Sequence, residues 1–482
     1  MNPQNLQGIF TWHGLYITTL FHIILFVIAP LMFTQGCTTR KSEPPKLKIG
    51  LGEKVITPQE NLQMRGFARS QVSTGIHDDL HTRSIVIEGE DGTVVVMIAL
   101  SLVDLGRSFI ERIRSDISEI TGIPGNNILI SCTHTHSGPS VDSAGEKYQT
   151  FLIENVVSST VEAWNNRVPA RIGVGSTEVM ELGRNRRMLL YGGLHPDPEV
   201  GIAKIEDAAG NLMGVFFNYG CHPSALDWQN RLYSEDWPFY AIEGIKKVVG
   251  ETIWVAYFQS AEGDINVGYS SELSAVGADM PIRNYQYIEI KGNQMADAVL
   301  KALPGINTSG DQVIRMAGDF FKYPRRDSYP VTLAQAEKDA DAAQKKLATL
   351  ENEPNIEGTR ILDKVRVEIF QTGQRLHSAR RYYASDKNSE PLKIEQQAVR
   401  IGDTIFVSVP GEVFSEIGLA IKKESPFEKT FVIGLANGYG GYMPTEKEFI
   451  EGDYEVDGSA YSKEAGRVCV ESSLDLIRRV GK

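Results

Sequence analysis

The chain has 482 residues, 42% of them hydrophobic, and a formal net charge of −12. That composition supplies a large core, enough for one big domain or two moderate ones. The acidic balance argues against a nucleic-acid partner and selects no substrate, because acidic surfaces mostly serve solubility.

From the N-terminus, Leu15 to Phe33 is nearly all apolar, and no charge precedes Arg40. Such a run can span a bilayer and also has the form of the apolar region of an export signal. Thr34-Gln-Gly-Cys37 resembles a loose lipobox. Residues 1–36 are therefore read as a bacterial lipoprotein signal or an uncleaved anchor, with Cys37 as the lipidation site and residues 37–46 as a tether. Either way the body from 47 to 482 is expected outside the cytoplasm, in the cell envelope. Cys132, Cys221 and Cys469 then remain, an odd set with no CxxC spacing, and read as small buried apolar residues.

Ser84–Glu88 and Thr93–Leu100 read as strands around an Asp91-Gly92 turn. A helix is predicted over Phe109–Thr121, closed by Gly122 and Pro124, then a strand over Ile128–Ser131 and a helix over Tyr148–Asn165. Ala170–Val174, Gly201–Glu206, Leu212–Asn218 and Ile253–Ser260 read as strands. The composition then changes near Tyr323–Pro330. Thr332–Leu350 and Gly358–Tyr383 form a predicted helical hairpin, an insertion at about 332–384. Strands return at Gln396–Ile401 and Thr404–Val409, followed by a helix over Glu412–Lys423, a strand over Thr430–Leu435 and a last helix over Ala465–Val480. The expected class is α/β (mixed α+β), a large mixed sheet flanked by helices.

The chemistry concentrates at strand ends. Cys132-Thr-His-Thr-His-Ser-Gly-Pro139 carries two of the nine histidines. In an extended segment His134 and His136 share a face, roughly 6–7 Å apart. The pair suits a shared metal, or one ligand beside one proton carrier. His222 lies in Asn218-Tyr-Gly-Cys-His-Pro223, and Glu412 in Val409-Pro-Gly-Glu-Val413, each after an apolar strand. Leu435–Pro444 is a Gly-rich loop that presents Tyr439, a candidate substrate contact, and Tyr442. Two histidines and a carboxylate, with room for water, are a recurrent catalytic zinc set.

The motifs CTHTHSGP, GCHP, VPGE and NGYGGYMPT, in this order, resemble the neutral/alkaline non-lysosomal ceramidases and their bacterial relatives, from about Leu47 to the C-terminus. The resemblance implies a zinc amidohydrolase with one Zn2+ per chain, held by His134, His222, Glu412 and Tyr442. It implies His136 as the acid/base, Arg186 on the substrate carbonyl or its oxyanion, and Tyr454 near the site. Asp264 would orient a histidine or cap a turn. The family's Gly-Asp-Val-Ser-Pro-Asn reads here Gly263-Asp-Ile-Asn-Val-Gly268. Asn266 thus replaces the serine, which excludes a serine nucleophile there and leaves a hydrogen-bond donor to substrate. The additional C-terminal β-sandwich of the ceramidases is expected to be missing, and the helical hairpin has no match among them.

The expected substrate is an N-acyl sphingolipid or another N-acyl compound. The alternatives are metal-dependent hydrolysis or lysis of an extracellular glycan or ester, and ligand binding without catalysis. Partners are then a small-molecule, lipid or glycan substrate and the membrane, with no nucleic acid. An acyl lipid predicts a deep apolar groove; a glycan predicts an open cleft lined with aromatics and cations.

Overall fold

The computed structural model describes residues 45–67, 71–187, 193–267, 283–351, 353, 360–385 and 390–482. The apolar run, Cys37 and most of the tether lie outside the described residues. Within them, no helix is long and apolar enough to cross a membrane.

The body is built on an eight-stranded sheet. Its strands are β1 (Leu47–Val55), β2 (His81–Glu88), β3 (Val94–Leu100), β4 (Ile128–Cys132), β5 (Val168–Glu178), β6 (Glu199–Asp207), β7 (Leu212–Tyr219) and β8 (Trp254–Gln259). Their spatial order is β8-β7-β6-β5-β1-β2-β3-β4. The middle is antiparallel, and each edge is a parallel pair, β7 with β8 and β3 with β4. A second sheet runs β9 (Ile314–Tyr323), β10 (Leu392–Ile401), β11 (Thr404–Ser408) and β12 (Lys429–Ile433), with β11 and β12 parallel.

Alternation along the strands sorts side chains into layers. Ile85, Ile87, Val95, Met97, Phe216 and Phe258 meet Val399, Ile401, Phe406 and Phe431 in one apolar layer between the two sheets. The other face of the large sheet is covered in two parts. Val86, Val96, Ile98 and Ile130 pack with Ile110, Ile113 and Leu152 of α1 (Arg107–Thr121) and α2 (Glu146–Asn165). Val215, Phe217, Val255 and Tyr257 pack with Ile242, Ile245 and Met295 of α3 (Trp237–Val249) and α4 (Tyr285–Ala302). The predicted hairpin is present as α5 (Leu333–Leu350) and α6 (Arg360–Ala384), packed on each other. On the outer face of the second sheet, Ile405, Val407 and Val432 lie under α7 (Ser415–Glu424) and α8 (Ala465–Gly481). The order of layers is helices, sheet, sheet, helices. Strands covered on both sides account for the near-continuous apolar runs in the sequence.

This stacking positions the site. The carboxyl ends of β4, β7, β8, β11 and β12, all members of parallel pairs, lead into the loops that carry its residues, the usual place for ligands on parallel strands. The ends are stitched together. Asn218 Nδ2 donates to the carbonyls of Phe258 (3.0 Å), Gln259 (3.2 Å) and Val432 (2.9 Å), and Ser131 bridges Ala436 across the sheets.

Among the predicted elements, one departs from expectation. The helix predicted from Glu412 starts at Ser415, and Glu412–Val413 instead form a short parallel pair with Tyr442–Met443. The cause is local. Gly411 has φ +68°, and a Cβ there would lie 2.4 Å from the Gly441 carbonyl. That close approach commits Glu412 N–H to Gly441 O at 3.0 Å before a helix can begin. Cys132, Cys221 and Cys469 are buried and free, as expected of apolar cysteines.

Candidate active site

The first correction concerns the histidine pair. Strand β4 stops at Cys132, and His134 has φ +74°, in the left-handed region that non-glycine residues avoid. His134 and His136 are therefore not alternate positions of a strand. They converge across a strained turn, held by His134 N–H to Leu102 O (2.8 Å) and His136 N–H to Pro223 O (3.0 Å). Their ring centroids are 5.0 Å apart, and His222 joins at 4.8 Å from His134 and 5.6 Å from His136. Leu435, Asn437 and Asp453, in neighbouring loops, also have positive φ. Such strain is characteristic of functional sites.

His134 and His222 are oriented in the same way. His134 Nδ1 faces the Val103 carbonyl at 2.8 Å, and His222 Nδ1 faces the Ile265 carbonyl at 2.9 Å. A carbonyl only accepts, so in its neutral form each ring carries its proton on Nδ1 and a lone pair on Nε2. Both Nε2 atoms point at one oxygen of Glu412, at 3.3 Å from His134 and 3.1 Å from His222. Burial, and then the Arg186 charge, lower the His222 pKa to about 3, so this ring is neutral. Three buried acceptors thus converge with lone pairs facing, an arrangement that a cation completes.

Arg186 forms the floor beside them. Its Nε donates to Glu455 (2.9 Å), Nη1 to His222 Nε2 (3.2 Å), and Nη2 to Gly263 O (2.8 Å) and the Tyr442 hydroxyl (3.1 Å). Burial works against its charge, but Tyr442, Glu455 and Glu412 outweigh it and keep the guanidinium protonated. Arg187 donates to the other Glu455 oxygen. Tyr439 is 42% exposed at the rim, yet its hydroxyl reaches in to donate to the second Glu412 oxygen at 2.8 Å. Burial and the Glu412 charge push the Tyr442 hydroxyl well above its ordinary value; the same causes push Tyr454 up to about 12. Both tyrosines are thus neutral beside the bare cluster.

These groups open into a cavity of about 310 Å³. Its base is His134, His136, Arg186, Glu412, Tyr442 and Tyr454, with Tyr439 at the rim; its walls include Gln63, Arg65, Phe67 and Asp104, with Phe370 and Gln374 from α6. The helical hairpin therefore lines the site.

Two further candidate residues lie outside the cavity lining. Asp264 faces no histidine: its carboxylate accepts from Ser415 N (2.7 Å), Ser415 Oγ (2.8 Å) and Asn185 Nδ2 (2.8 Å). It caps α7, and its carbonyl accepts from Arg186 N–H at 2.8 Å, so it positions Arg186. Asn266 is fully buried in a two-residue strand paired with Arg184–Asn185 and is absent from the cavity lining.

Sequence reasoning missed two residues. Glu455 holds both arginines, and Glu262 is fully buried among the site residues. One Glu262 oxygen, a His134 ring nitrogen and a Glu412 oxygen lie within 4.8 Å of one another. Burial and the Glu412 charge push the Glu262 carboxyl well above the usual range. The only signal for it was a charged residue three positions after the buried strand β8, just ahead of Gly263-Asp264.

Residues 47–267 match the sequence pattern of neutral/alkaline non-lysosomal ceramidase, N-terminal. That stretch of the chain is similar to this family. A neutral ceramidase from Oryza sativa subsp. japonica is 27% identical over 228 residues, 42% of this chain and 29% of that protein. One from Mycobacterium tuberculosis is 21% identical over 487 residues, 86% of this chain and 74% of that protein. Against the first curated relatives, the matched stretch spans about a third of their length. The crystal structure of neutral ceramidase from Pseudomonas aeruginosa superposes with a TM-score of 0.68 at 19% identity, covering 91% of this chain and 75% of that one, which establishes the shared ceramidase fold.

Proposed function

We propose that this ceramidase-like chain is a zinc-dependent hydrolase that cleaves the amide bond of an N-acyl compound. The observation that carries this reading is the convergence of two imidazole lone pairs on one buried carboxylate oxygen at the base of a cavity. His134, His222 and Glu412 would hold the zinc, with Tyr442 beside them. Bound there, the ion would lower the pKa of water to about 7 and polarise a carbonyl.

The rest of the chemistry belongs to the side chains. Arg186, locked by Glu455 and Gly263 O, presents a fixed positive charge where a scissile carbonyl gains negative charge. His136 lines the same cavity and would carry a proton to the leaving nitrogen, without which an amine leaves poorly. Tyr439 fixes the Glu412 carboxylate through its second oxygen. Asp264 and Asn266 act by holding the loops.

The lining favours a substrate with a polar reacting end. Arg65, Asp104, Gln63 and Gln374 share the walls with Phe67 and Phe370, closer to a cleft of cations and aromatics than to an apolar groove. An N-acylated sugar or a uronic-acid glycan is therefore the second reading of the substrate, ahead of a plain long-chain amide. A hydrolysis screen of N-acyl sphingoid bases, other N-acyl amides and acidic oligosaccharides tests both. Activity on N-acyl compounds that falls in His136→Ala supports the reading; activity unchanged in His136→Ala removes that residue from the mechanism.

A further inference from the structure

Glu262 enters the site from the loop after β8 and is fully buried. Apart from its own amide, neither carboxylate oxygen meets a hydrogen-bond donor among the described residues. A buried carboxyl left this way is costly unless something from outside the chain compensates it. Its position indicates what that is. The shared span of 4.8 Å with His134 and Glu412 is one that a single cation can draw together.

Charge points the same way. Arg186 and Arg187 both bond Glu455, and the Asp264 carboxylate is met by Ser415 and Asn185. Neither arginine bonds Glu262. Glu412 and Glu262 remain, together the charge of one divalent cation.

We infer that Glu262 is a direct metal ligand, adding a second carboxylate to His134, His222 and Glu412 around one divalent ion. This rests on the metal-hydrolase reading and extends it. Two carboxylates beside two imidazoles form a harder donor set than one carboxylate does, so the site accepts Mn2+ or Fe2+ more readily than a set with one carboxylate. The loop Ser260–Gly263 then has a function besides shape. A Cβ on Gly263 would lie 2.4 Å from the Glu412 carbonyl, so glycine is what lets Glu262 and Glu412 share one ion.

Crystals of the full chain soaked with Mn2+, with the ion located by its anomalous signal, give the direct reading. The expected result is a Glu262 oxygen at about 2.0–2.4 Å from the ion. An ion held by His134, His222 and Glu412 with Glu262 beyond about 3.5 Å overturns the inference. In solution, chelator-stripped wild type and Glu262→Gln are compared by metal content and by the visible spectrum of bound Co2+. Glu262→Gln should lower Mn2+ affinity by at least about tenfold, more than Zn2+ affinity, and change the Co2+ spectrum. Identical affinities and spectra overturn it. The metal-free variant should fold, since an amide replaces a carboxyl that has no partner; its circular dichroism and melting check this. A wild type that takes up no divalent ion defeats the metal reading itself, whereas an ion bound without regard to Glu262 defeats only this inference.

Discussion

Glu235 and Glu412 are both buried glutamates with histidines at hand, and their surroundings differ. One oxygen of Glu235 accepts from Arg83 (2.7 Å) and Ser101 (2.6 Å) and faces His81 at 3.1 Å, while Arg83 also bonds Glu53 at 2.8 Å. Burial would raise Glu235, but Arg83 and His81 hold it well below the carboxylate range. That cluster closes its charge balance with its own side chains. Around Glu412 the neighbours are two Nε2 lone pairs and a second carboxyl, and Arg186 is already engaged by Glu455. A cluster of the first kind holds a fold together; one of the second kind is finished by an ion from outside.

The contrast is most sharply tested by removing one member of each. His222→Ala or Glu412→Gln should abolish metal uptake and cut turnover by about a thousandfold or more. Equal metal content in these variants would place the ion elsewhere. Glu235→Leu should do the reverse. It removes one of the two carboxylates that hold buried Arg83 and should cost about 3–5 kcal/mol in urea unfolding, with metal content unchanged. A loss of metal there would mean that the two clusters are not independent.

His195 sharpens the comparison from the side of a histidine closed by the chain. Its Nε2 faces the Gly220 carbonyl at 2.8 Å, and its Nδ1 accepts from Asp197 N–H at 3.1 Å, so only the neutral ring fits. Burial lowers its pKa to about 4. Unfolded, it titrates near 6.5, so the unfolded chain binds the proton first. The stability it contributes is present above pH ~6.5 and is lost as pH falls toward 4, about 2–3 kcal/mol by pH 4.5. His195→Gln should flatten that part of the urea midpoint against pH; an unchanged slope would assign the titration to another group. The smallest effect is expected from Tyr439→Phe, which removes one bond to Glu412 and should weaken metal binding or kcat/KM by about tenfold. No change would make Tyr439 a rim residue only.

Much of this was legible in the sequence because apolar runs covered on both faces announce strands. The strands before His134, His222 and Glu412 were found in that way, as was the helical hairpin from its composition. Details set by backbone turns were not. The left-handed φ at His134 replaces the extended geometry that alternation implied, yet still brings the two rings together. Gly411 delayed a helix by a few residues because its carbonyl neighbour was out of sight in sequence. Asp264 and Asn266 sat in a motif whose family role suggested chemistry, and the fold uses them to cap and pair backbone. Glu262 and Glu455 belong to no periodic pattern; only tertiary proximity gives a lone carboxyl its meaning.

Metal analysis of the purified full chain, beside His134→Ala, tests the central claim most directly. One divalent ion per wild-type chain, lost in the variant while the fold persists, is the predicted result. A wild type without stoichiometric metal after reloading, or a variant that keeps its ion, would contradict it.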